Sequence, residues 1–133
     1  MLSSDAAALA AERLTPLGVP VITFPSVYGE NGVNDFHWYA LNHPQGWLLI
    51  PRPVPIGTQG YVTQWLVTVD AAARTEADAR ILARRAQNAL MHLSRQPTAF
   101  EFMGDTPAGT TADGFKYVLS FTAHLRQGDT TWL

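Results

Sequence analysis

Hydrophobic and polar positions alternate most regularly near the C-terminal end of the chain. Phe115, Tyr117, Leu119, Phe121, Ala123 and Leu125 occupy one parity, and Lys116, Ser120, Thr122, His124 and Arg126 the other. A period of two over this length predicts an antiparallel β-strand with one buried and one wet face. A second long strand is expected to enter at Tyr61 and end at Asp70. Tyr61, Thr63, Trp65, Val67 and Val69 share its buried face, while Gln64 and Thr68 lie with Val62 and Leu66 on the other.

The period then changes. Leu82, Ala86, Ala89, Leu90 and Leu93 recur at helical spacing, which predicts an amphipathic helix packing one stripe on a sheet. An Ala-rich turn should precede it. Thr75 followed by Asp78 forms a capping box in which Asp takes the place of Glu. Pro97 lies beyond its end. A first helix is expected from Ser3 or Ser4, with Ala6, Leu9, Ala10, Arg13 and Leu14 following the same spacing, until Pro16 and Gly18 stop it.

Shorter elements complete the pattern. Val19 to Phe24 reads as a strand entered through Pro20. Asp35 to Leu41, rich in aromatics, is predicted as another, and Trp47 to Ile50 as a third after a turn at His43-Pro44-Gln45-Gly46. The prolines at 51, 53 and 55, with Gly57 and Gly60, predict a stiff extended connection without regular structure. Residues 100–103 form a brief strand, and the polar stretch Gly104 to Gly114 a hairpin loop. Asn31-Gly32 marks a further turn within Pro25 to Asn34. The economical architecture is α+β: a single mostly antiparallel sheet of four to five strands with two helices packed on one face.

Length and composition narrow the function classes. The 133 residues match one domain spanning 1–133, large enough for a continuous core. Charged residues make up 15%, below the ~25% common in soluble domains, which suits a surface partly covered by partners. The net charge of −2 argues against a dedicated nucleic-acid binder. With no cysteine there is no disulfide framework and no thiolate chemistry. The N-terminal residues lack a signal-peptide pattern, and no run reaches the ~20 apolar residues of a membrane span, so a soluble protein is expected.

Catalytic signatures are missing from the pattern. His37, His43, His92 and His124 show no metal-ligand spacing. Ser26 and Ser120 stand outside any nucleophile elbow. Asp35 and Asp70 fall at strand ends, and Glu76 and Asp78 at a helix start, so no carboxylate pair is evident. Gly104, Gly109 and Gly114 lack the Gly-Lys-Ser/Thr of a phosphate loop. Arg74, Arg80, Arg84, Arg85 and Arg95 gather on or beside one helix, where they suit a solvated face or an acidic partner. Trp132 and Leu133 form an apolar pair after a polar spacer, suited to docking on the domain or on a neighbour.

The order of elements, the segment WLVTVD (Trp65 to Asp70), then RTEADA (Arg74 to Ala79) and Ala89-Leu90 at the helix end resembles the tail terminator proteins of long-tailed phages. The resemblance covers the second half of the chain, and the first half only as a strand order. It implies a non-enzymatic virion protein without cofactor or metal. Such a protein forms a hexameric ring that caps the tail tube, ends its polymerisation and joins the tail to the head. The implied partners are other copies of the chain, the tail tube protein and a head-completion or neck protein. DNA only passes through the lumen, and no membrane takes part. The implied location is the head-proximal end of the tail, after assembly in the host cytoplasm. The expected contact residues are Tyr28, Glu30, Asn31, Arg80, Arg84, Asp105, Thr110 and Trp132, with the Pro51–Gly60 stretch matching no family feature. Two alternatives stand beside it: another ring-forming head–tail connector, and a small-molecule-binding or enzymatic α/β domain with a pocket of Trp38, Tyr39, Trp47 and Trp65.

Overall fold

A computed structural model describes residues 3–23, 38–59, 62–91, 100–111 and 114–126. The elements in chain order are helix α1 (Ser3–Leu14), a 3-10 turn (Thr15–Leu17), strand β1 (Val21–Thr23), a helical stretch α2 over 38–42, strands β2 (Trp47–Ile50), β3 (Val54–Gln59) and β4 (Val62–Ala73), helix α3 (Glu76–Leu90), and strands β5 (Phe100–Thr111) and β6 (Gly114–Arg126). The strands form one mixed sheet in the order β1-β2-β4-β6-β5, with β3 beside β4 on the same side as β2. Among the described residues only β1 and β2 run parallel, and every other pairing is antiparallel. The α+β class and the largely antiparallel sheet expected from the sequence are therefore present.

The two long strands form the spine. β4 and β6 pair without a break from Val62↔Arg126 to Ala73↔Phe115. Trp65, Val67, Val69, Ala71 and Ala73 of β4 join Phe115, Tyr117, Leu119, Phe121 and Ala123 of β6 in one core. Ala6, Leu9, Ala10 and Leu14 of α1 and Ala79, Leu82, Ala83, Ala86 and Leu90 of α3 cover that same face. Burial of each large apolar side chain in this layer stabilises the fold by about 1.5–3 kcal/mol. The predicted alternation in β6 and the predicted stripe of α3 thus meet each other.

Helix α3 starts where its cap requires. The Thr75 hydroxyl accepts from the Asp78 backbone N–H at 3.2 Å, satisfying one orphan donor of the first turn. Its C-terminus is tied down from another element. Arg13, buried at 7% exposure, donates from Nη1 to the Leu90 carbonyl oxygen at 3.1 Å.

Four readings of the sequence need correction. First, the strand predicted to end at Asp70 continues through Ala71-Ala72-Ala73. Alanine is a weak strand former, but here both faces are covered. Ala71 and Ala73 lie in the main core, and Ala72 packs on Trp47 on the opposite face. Small side chains are what that sandwich accommodates, so packing overrides propensity.

Second, the proline-rich stretch contains β3, paired with β4 from Val54↔Leu66 to Gln59↔Val62. Pro55 is tolerated because β3 pairs with β4 on one side only among the described residues. Third, the loop expected over Gly104 to Gly114 is mostly strand. β5 runs to Thr111, which pairs with Gly114, and irregularities at Phe102/Gly104 and Pro107/Thr110 absorb the glycine and proline.

Fourth, the described part of the segment expected as a strand over Asp35 to Leu41 is helical. The His43 N–H donates to the Tyr39 carbonyl at 2.7 Å and Asn42 Nδ2 to the Trp38 carbonyl at 2.8 Å. Tyr39 stacks on Trp47 with centroids 5.8 Å apart, and Ala40 is buried beside them. A tertiary contact made at helical spacing outweighs the strand preference of aromatic residues. α2 therefore covers the sheet face opposite α1 and α3, at its β2 end.

Gly46 closes the turn before β2. Its φ is 140°, and a Cβ there would meet Leu82 Cδ2 at 2.5 Å and the Ala72 carbonyl oxygen at 3.2 Å. No other residue type fits that crossing of turn, strand and helix.

Candidate interaction surfaces

The outer side of α3 carries the arginines. Arg80 Nη2 pairs with Glu76 Oε1 at 2.7 Å, one helical turn away, and the Tyr117 hydroxyl donates to the same Oε1 at 3.4 Å. Tyr117 first, and then Glu76, push the Arg80 guanidinium above its ordinary value, so its charge is permanent. Arg85 donates from Nη2 to the Leu17 carbonyl at 3.0 Å, tying α3 to the 3-10 turn. Arg84 is exposed, and Ile81 beside it is 59% exposed. The basic helix face expected from the sequence thus resolves into two locally engaged arginines and Arg84 next to an apolar residue.

Exposed apolar side chains also mark both flanks of the sheet. Val54 and Ile56 on β3 are 52% and 48% exposed, and Met103 on β5 is 61% exposed. Trp38 and Leu41 of α2 are exposed as well. Asp105 lies exposed on β5, paired with Leu119, and Thr110 on the same strand pairs with Phe115. Tyr28, Glu30, Asn31 and Trp132 lie outside the described residues. Of the expected contact residues, Arg80 and Arg84 share a helix face, while Asp105 and Thr110 belong to a strand rather than to a loop.

The aromatic pocket weighed from the sequence does not form. Trp47 is buried and stacked on Tyr39, with Trp38 edge-on to Tyr39 at 4.8 Å. Trp65 points into the main core on the opposite face of the sheet. A shallow cleft of about 250 Å³ lies between residues 18–20 and 42–46, lined by His43, Asn42 and Gln45 among others. No group of acidic or histidine side chains that could hold a metal occurs among the described residues. No helix among them is long and apolar enough to cross a membrane.

One charged pair escaped the sequence pattern. Asp70, placed at a strand end by the sequence reading, sits inside β4 at 9% exposure, and Lys116 Nζ approaches its Oδ2 at 3.4 Å. Burial pushes the Asp70 carboxyl above its usual value, and the attraction and hydrogen bond of Lys116 offset this only in part. Lys116 pairs directly with Ala72, so the ion pair is diagonal across the β4–β6 ladder. The alternation of Lys116 in β6 was visible in the sequence; its diagonal partner required the register.

No known protein-family model matches the chain, and no characterised protein compared with it is similar in sequence. The functional reading therefore stands on the surfaces above and on the resemblance noted from the sequence.

Proposed function

We propose that the protein is a structural subunit of a phage tail. In this reading copies of the chain form a ring that caps the tail tube, stops its growth and offers a surface for joining the head. The observation that carries it is the distribution of exposed apolar side chains. Val54 and Ile56 lie on one flank of the sheet, Met103 on the other, and Ile81 on the outer face of α3. One partner on one patch leaves the remaining positions in water. A subunit held between two neighbours and a third surface covers them all. The mechanism is surface complementarity without catalysis.

Light scattering followed by negative-stain imaging tests this, first alone and then with tail tubes of the same virus. Rings seated on tube ends, and tubes of fixed length in their presence, are the expected result. Rings that leave tube growth unaffected point instead to another connector of the head–tail junction. A monomer that binds no tube end overturns the proposal.

A further inference from the structure

Two exposed apolar side chains add nothing to the core. Ile81 on the outer side of α3 is 59% exposed and Met103 on β5 is 61% exposed, the two highest values for large hydrophobic side chains among the described residues. Ile81 is a weaker helix former than alanine and lies outside the buried stripe of Ala79, Leu82, Ala83, Ala86 and Leu90, so α3 gains no stability from it. Met103 stands between Phe102, which pairs with Phe121, and Gly104, which pairs with the adjacent Ser120. It is therefore an extra residue, and a bulge of this kind re-aims one side chain out of the ladder.

Each of the two lies beside a charge that finds no opposite charge within the chain. Arg84 is one helical turn beyond Ile81, Asp105 is two residues beyond Met103, and both are exposed. Neither side chain has an ion pair or a hydrogen-bond partner. Their surroundings keep the signs apart. From Arg80 to Leu90, α3 carries no acidic residue, and its two acids, Glu76 and Asp78, sit in the first turn, where the helix dipole favours them. β5 carries no basic residue from Phe100 to Thr111.

We infer that the Ile81–Arg84 patch of one copy docks on the Met103–Asp105 patch of another, with Ile81 against Met103 and the Arg84 guanidinium against the Asp105 carboxylate. The occupant is a second copy because the chain itself carries both halves of the match: an exposed apolar side chain beside an unpaired charge, once positive and once negative. Opposite signs favour this pairing over either patch meeting itself. The planar fork of Arg84 suits a carboxylate, which accepts two parallel hydrogen bonds from it, and the unbranched side chain of Met103 adapts to the shape of Ile81. The inference deepens the ring reading and rests on it for the closed assembly, but the contact itself is tested separately. One apolar contact and one ion pair hold an isolated pair of copies weakly, and closure of a ring strengthens them.

Exchange of the two charges tests the contact. Self-association of the wild type, Arg84→Asp, Asp105→Arg and the chain carrying both exchanges is measured by sedimentation over a concentration series, alone and with tail tubes. Each single exchange brings like charges together and is expected to weaken association about tenfold or more, and the double exchange to restore most of it. Both positions are exposed, and circular dichroism melts check that every variant is folded. A second measurement does not depend on charge. The chain has no native cysteine, so Ile81→Cys mixed with a longer-tagged Met103→Cys under mild oxidant is expected to give a covalent dimer containing one chain of each. Single exchanges without effect, a double exchange no better than the singles, no mixed cross-link, or no self-association with or without tubes each overturn the inference. A loss with Arg84→Asp that Asp105→Arg does not share assigns the α3 patch to a different protein and overturns it too. Tube capping that survives the exchanges removes this contact and leaves the function; charge-dependent oligomers that cap no tube do the reverse.

Discussion

Arg13 and Leu90 lie 77 positions apart in the chain, yet the Arg13 guanidinium donates to the Leu90 carbonyl at 3.1 Å and lies over the Phe100 ring at 5.3 Å. The contact places a cation at the C-terminal end of α3, where the helix dipole favours it. It also joins α1, α3 and the start of β5. Replacing Arg13 with Ala is expected to destabilise the protein by about 1.5–3 kcal/mol, the range for a buried hydrogen bond from a charged group. Arg13→Lys should recover only part of this, since Lys lacks the planar fork. Urea denaturation of the three proteins checks the order; equal midpoints for all three would remove the role assigned to Arg13.

Gly46 and Gly104 separate backbone strain from steric conflict. Both have φ in the region glycine favours, 140° and 151°. Only Gly46 is crowded, while a Cβ at Gly104 meets nothing within 4 Å. Each alanine substitution is expected to cost about 1–3 kcal/mol through backbone strain. Gly46→Ala should cost more, because Leu82 and the Ala72 carbonyl must move as well. Thermal melts of the two variants give the comparison.

Asp70 makes stability respond to pH in a defined direction. Its folded-state pKa is raised by burial, so the folded protein takes up the proton more readily than the unfolded chain. The resulting stability is fully present below the unfolded value and is lost as pH rises through the raised folded value. Asp70→Asn removes this response. The stability of the wild type relative to Asp70→Asn should therefore improve on acidification from pH 7 to pH 4. A constant difference over that range in urea titrations contradicts the assignment.

The arginine face of α3 is expected to matter for assembly rather than for folding. Arg80 and Glu76 are both exposed, and solvent screening leaves such a pair little weight in stability. Arg80→Glu combined with Arg84→Glu should leave the monomer melting temperature within a few degrees of wild type and weaken oligomer formation. Light scattering across a concentration series measures the second effect. Unchanged assembly would take this helix face out of the interface.

Local pattern alone located the secondary structure wherever each element reports on itself. β2 falls at Trp47–Ile50 as read, α3 begins at its Thr75 cap, α1 ends before Pro16, and Phe115 to Ala123 at alternate positions of β6 share the core face as read, although Thr122 on the face expected to be wet is buried too. These are properties of spacing, capping and period, which act within a few residues. Of the interaction surfaces, the basic helix face was legible because Arg80 and Arg84 sit one turn apart on an otherwise patterned helix.

Tertiary structure decided what depends on partners distant in the chain. Pro55 and Gly57 look like loop residues until β4 offers them an edge, and Gly104 to Thr111 become strand because β6 holds the ladder open beside them. The aromatic segment around Tyr39 turns helical because Trp47 waits at stacking distance. The same holds for Asp70 and Lys116, and for Met103, whose bulged position exists only in the register of paired strands. Propensity differs among residues other than proline by up to about 1 kcal/mol, while a buried aromatic contributes as much or more. Where the two conflict, the long-range contact wins, and no local pattern announces it.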